Sequence, residues 1–81
     1  MDTIEIVVHI FENLKNRQRK NMVEVLERTD GIVSAEFCPL RHHLMLVRYD
    51  TYMFSSVGLL AMVKSQNVKA RMMDRRNWLS T

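Results

Sequence analysis

The chain has 81 residues, 47% of them hydrophobic and 26% charged, with two Gly and one Pro; this suffices for one core between a sheet and a helical layer, excludes two cores, and carries no signature of disorder. Twelve basic against nine acidic residues give a net charge of +3, a weak preference for anionic partners that falls short of a dedicated nucleic-acid binder. The single cysteine, Cys38, excludes an internal disulfide, and a reducing, cytoplasmic setting is the expectation.

In residues 3–10, Ile4, Ile6, Val8 and Ile10 alternate with Thr3, Glu5, Val7 and His9, the pattern of a half-buried, β-branched strand, β1. The acids Asp2 and Glu5, without a basic n-region or a small-residue cleavage site, do not read as a signal peptide, and no apolar run reaches membrane-spanning length. Residues 11–16 break the alternation and read as a loop in which Asn13 or Asn16 caps the next helix. That helix, α1, covers residues 17–28, with Met22, Val23, Val25 and Leu26 as one apolar stripe and Arg19, Lys20, Glu24, Glu27 and Arg28 on the wet side. Thr29-Asp30-Gly31 ends it, Gly31 being suited to the left-handed conformation that returns the chain to the sheet.

Residues 31–50 read as a β-hairpin, β2 and β3: Ala35 and Phe37, then Met45, Val47 and Tyr49, recur at alternate positions around a turn of Pro39 and the basic Arg41-His42-His43. Residues 51–54 connect to a second helix, α2, capped by Ser55 or Ser56, carrying Val57, Leu59, Leu60, Met62 and Val63, and stopped at Asn67. In residues 68–73, Val68, Ala70 and Met72 alternate with Lys69, Arg71 and Met73, giving β4. One domain, residues 1–74, and a tail, residues 75–81, are expected.

The predicted order is that of an α+β, ferredoxin-like βαββαβ sandwich, a four-stranded antiparallel sheet with two helices on one face. The uncovered face carries Glu5, Val7, His9, Ser34, Glu36, Cys38, Leu44, Leu46, Arg48, Lys69, Arg71 and Met73. On it, Val7, Leu44, Leu46 and Met73 make an apolar patch, and Trp78 has no place in a two-layer core. These five residues are the predicted interface of a homodimer. The opposing reading is scattered surface residues, with Trp78 folded over its own sheet.

Three stretches carry a resemblance to a known family. Gly31-Ile32-Val33-Ser34-Ala35-Glu36-Phe37 is similar to a G-V-x-S-V-x-V strand, Val47-Arg48-Tyr49-Asp50 to V-x-[YF]-D, and residues 55–67 to the second helix, of the heavy-metal-associated (HMA) domain found in copper chaperones and in metal-pumping P-type ATPases. The match covers most of the chain, and its motifs are structural. The family's metal loop, G-M-x-C-x-x-C, opens α1, where two thiolates at a helix N-terminus hold a soft ion such as Cu(I). Counting back from Gly31 places the two cysteine positions at Lys15 and Gln18, and the Gly-Met positions at Glu12 and Asn13. Neither Lys nor Gln replaces a thiolate, so the resemblance implies the fold while removing the usual activity; no cofactor is expected.

Cys38, His42 and His43 form the alternative metal set, but two adjacent histidines in a hairpin diverge, and a solvated turn is preferred. Met22, Met62 and Met72 read as core filling. Lys15, Arg17, Arg19 and Lys20 crowd the first turn of α1, where free N–H groups favour an anionic or protein partner; most such runs are solvated charges. No nucleophile with a base is evident, so no enzyme is expected. RNA recognition shares the element order, yet residues 43–50 lack the [KR]-G-[FY]-[GA]-[FY] pattern, and their one aromatic, Tyr49, faces the helices. The expectation is a non-enzymatic HMA-like adaptor with a protein partner or a second copy, linked to metal homeostasis. The alternatives are a metal carrier using Cys38 and an RNA-binding module.

Overall fold

In the computed structural model, which describes residues 2–73, the period-two apolar runs become four strands and the two apolar stripes become helices. In chain order these are β1 (Thr3–Ile10), α1 (Asn16–Glu27), β2 (Ile32–Cys38), β3 (Arg41–Asp50), α2 (Ser56–Lys64) and β4 (Ala70–Met73). The strands form one antiparallel sheet in the order β2-β3-β1-β4, the ferredoxin-like arrangement the sequence predicts. The expected tail and Trp78 lie outside the described residues.

Alternation sorts the sheet into two faces. Val8, Ile10, Ala35, Met45, Val47 and Tyr49 join Met22 and Leu26 of α1 and Leu59 and Val63 of α2 in the core. Burial of each such large side chain contributes about 1.5–3 kcal/mol, which offsets the entropy of ordering the two layers. Tyr49 is 1% exposed within this core, so the helix-facing register expected for β3 holds. Met22 is buried as predicted, and Met62 packs partly buried against the same cluster. Val25 departs from the predicted stripe and is exposed. It lies about 160° round the helix from Val23, so it cannot share the face that Met22, Val23 and Leu26 turn to the core.

Several boundaries differ from expectation for local reasons. The cap of α1 is Lys15, not Asn13 or Asn16. Gln18 reaches back so that its Oε1 accepts the Lys15 N–H at 2.8 Å, while the Asn16 Oδ1 is taken by the Arg19 guanidinium. Ser55 caps α2, its Oγ accepting the Gly58 N–H at 3.0 Å. Helix α2 ends at Lys64 with Ser65 as its C-cap, and Asn67, with φ of 65°, is a left-handed turn residue beyond it. Strand β4 begins at Ala70 rather than residue 68. The Lys69 backbone bonds outside the helices, its C=O accepting from the Phe11 N–H at 2.8 Å and its N–H donating to the Glu12 carboxylate at 3.1 Å.

The hairpin turn is confined to Pro39 and Leu40, and Arg41-His42-His43 belongs to β3 rather than to the turn. Between the pairs Phe37–Met45 and Cys38–Arg41 the register shifts, so residues 42–44 bulge out of the β2 ladder. Such a bulge re-aims side chains at a sheet edge. At the opposite end Gly31 adopts φ of +96°, and an added Cβ would lie 2.9 Å from the Met53 Cβ. Only glycine fits that position without displacement.

The face turned away from the helices is less open than its sequence implies. Val7 and Leu44 are 2% and 5% exposed, whereas Leu46 and Met73 are half-buried. Val7 lies between Leu46 on β3 and Met73 on β4, and Leu44 lies opposite His9. Nearby, Glu5 and Arg48 pair across strands at 4.0 Å, an exposed contact that contributes at most about 1 kcal/mol.

Candidate functional site

The start of α1 and the bulged beginning of β3 both lie at the end of the sheet where β1 finishes, yet they offer different chemistry. At the helix, Lys15, Arg17 and Lys20 are exposed, and the Gln18 side chain is spent on the Lys15 N–H. The Arg19 guanidinium turns back to the Leu14 carbonyl and the Asn16 side chain. The four cations named from sequence therefore do not converge on one point. Glu12, Gln18 and Gln66 line a cleft of about 360 Å³ between this helix start and the turn after α2. Glu12 makes that cleft a poor place for an anion, and the Gln66 Nε2 within it is buried without a hydrogen-bond partner.

Cys38 sits half-buried at the end of β2, while His42 and His43 are exposed on β3. Among the described residues no three His, Cys, Asp or Glu side chains gather closely enough to hold a metal ion. The two histidines instead line an open depression of about 600 Å³ on the uncovered face, and Cys38 is not among its walls. The register joins this depression together: His9 on β1 stands opposite Leu44 on β3 and Arg71 on β4.

Ring contacts position these groups. The His9 ring lies 4.5 Å from the Phe11 ring and 6.4 Å, edge-on, from His43. The Arg71 guanidinium sits 5.7 Å above the Phe11 ring, a cation–π contact that fixes the head of a long side chain. His9 Nδ1 is buried without a hydrogen-bond partner. Desolvation first, then the positive charges of Arg71 and His43, hold the His9 pKa below the usual 6.5, which keeps the ring neutral at pH 7. Sequence reading placed His9 and Arg71 on the open face without joining them. The available signal was strand order: in this topology β4 borders β1, which brings the first and last strands side by side.

This architecture, four antiparallel strands with two helices on one face, is the ferredoxin-like fold. Solved structures that share it include a copper-binding domain from HMA7, a P-type ATPase, with a TM-score of 0.76 and 13% identity over 86% of this chain and 93% of that one. Another is the N-terminal domain of a potential copper-translocating P-type ATPase from Bacillus subtilis in the Cu(I)-loaded state, with a TM-score of 0.73 and 17% identity over 90% and 94% of the two chains. No protein-family model matches the chain, and no curated protein does. The likeness establishes the fold, in agreement with the resemblance seen in the sequence. Among the described residues no helix is long and apolar enough to cross a membrane.

Proposed function

We propose that the chain is a non-enzymatic binding module on the copper-domain fold, which engages a protein partner instead of carrying a soft metal ion on paired thiolates. The observation that supports this is the chemistry at the start of α1. Lys15 and Gln18 occupy the positions where the HMA pattern has cysteines, and Gln18 is committed to the helix's own backbone. Neither side chain is a ligand for a soft cation. A titration of the reduced, tag-free protein with Cu(I) or Zn(II) is expected to show no tight stoichiometric binding. Submicromolar binding that Cys38→Ser abolishes would replace this reading with that of a metal carrier.

The reading extends to a second copy of the chain as the partner. Leu46 and Met73 supply the apolar contact on the open face, because Val7 and Leu44 have little surface left to offer. Light scattering at micromolar concentration is expected to give a dimer that Leu46→Glu converts to monomer. A wild-type mass near 9.6 kDa removes the second copy and leaves a different protein as the partner.

A further inference from the structure

We infer that the depression at the hairpin end of the open sheet face binds a small organic oxyanion, a phosphate or carboxylate group attached to an apolar body. This goes beyond the protein-partner reading and uses a different surface from the start of α1. The volume, about 600 Å³, is within the range of small-molecule sites. Its titratable walls are all basic: His9, His42, His43 and Arg71, with Arg41 also present and already engaged by another group. No Asp or Glu lines it among the described residues. The fixed charges here are the positive arginines, so an oxyanion would receive charge-assisted hydrogen bonds.

Two details distinguish the place from a solvated basic surface. The Arg71 head is exposed, yet held above Phe11, so little side-chain entropy remains to be lost when its planar fork meets an oxyanion. His9 Nδ1, buried and unpartnered, is a ring nitrogen whose hydrogen-bonding capacity the protein leaves unused, and in the Nδ1–H tautomer it needs an acceptor. The His9 pKa is lowered first by desolvation, with Arg71 and His43 adding to the shift in the same direction. Leu40 and Met73 complete the wall with apolar surface, above the nearly buried Leu44. That surface gives an aryl or alkyl oxyanion an advantage over a bare ion.

The test is an NMR titration of the full chain at low salt and pH 7 with phenyl phosphate, benzoate and inorganic phosphate as separate probes. Saturable shifts at His9, Leu44, Arg71 and Met73 are expected with phenyl phosphate or benzoate, and weaker ones with inorganic phosphate. Whichever organic probe binds more tightly identifies the headgroup. Arg71→Gln, a change at an exposed side chain, is expected to weaken binding about tenfold through loss of a charge-assisted contact. Lys64→Gln, at an exposed position in the last turn of α2 and outside the depression, leaves it unchanged. Absence of saturation by either organic probe at about 10 mM, weaker than any useful millimolar site, overturns the inference. So does binding that Arg71→Gln leaves intact, or a response to single-stranded RNA alone.

Discussion

The two ends of the sheet treat their polar groups in opposite ways. Where β1 begins and β3 finishes, the backbone is spent on itself: Asp50 donates its N–H to the Gly31 carbonyl at 2.8 Å, and its own carbonyl accepts from the Met53 and Phe54 N–H groups at 3.1 Å. The nearly buried Asp50 carboxylate accepts the Tyr52 N–H at 2.9 Å, and Thr51 donates both N–H and hydroxyl to the Asp2 carbonyl. Where β1 finishes and β3 begins, His9 Nδ1 and Gln66 Nε2 are buried without partners, and arginine and histidine crowd one depression. Buried polar groups left unpaired cost about 1–3 kcal/mol each. Among the described residues the unpaired groups lie only at the end where β1 finishes, which makes that end the candidate binding surface and the opposite end the structural corner.

The largest test of this contrast is at the structural corner. Gly31→Val combines a left-handed φ with a Cβ 2.9 Å from that of Met53, and is expected to cost about 2–3 kcal/mol. For a domain of this size each kcal/mol lowers the melting temperature by roughly 4–8 °C, which a thermal melt resolves easily. An unchanged Tm would show that this corner is not the rigid end. Asp50→Ala removes the acceptor of the Tyr52 N–H and is expected to cost about 1–2 kcal/mol in urea denaturation, with the m-value unchanged.

The smallest expected effect is at the other end and depends on pH. Because the folded state holds the His9 pKa below 6.5, the unfolded chain takes up a proton first as pH falls. The contribution of neutral His9 is therefore complete above pH 6.5 and is lost as pH drops toward the depressed folded value. Urea midpoints between about pH 7.5 and about pH 5.5 should fall less for His9→Gln than for wild type. Equal slopes would mean that the His9 environment is as relaxed as an exposed histidine's.

Much of this was legible in the chain because it depends on local periodicity. The alternation of residues 3–10 determined that Val8 and Ile10 enter the core while Val7 and His9 share the other face. The Thr29-Asp30-Gly31 segment announced its turn, since few residues other than glycine accept a positive φ. Residue preferences point to Asn13 or Asn16 as the cap of α1, whereas Gln18 satisfies the Lys15 N–H from within the first turn, a side-chain choice that preferences alone do not reveal. The basic Arg41-His42-His43 run has the composition of a loop and so predicts a longer turn, while the bulge in β3 accommodates it in a strand.

By itself the sequence determined the element order, the faces of the strands and the presence of a single cysteine, all properties of residue type and short-range spacing. Tertiary structure alone decided that Val7 and Leu44 would be nearly closed to solvent, that the Arg19 head would turn inward to its own loop, and that Arg71 would stand beside His9. The reason is physical: periodicity tells a side chain which way to point, but its neighbours across the sheet come from strand order and register. Those depend on how two helices and four strands close around one core, a competition among contacts far apart in the chain.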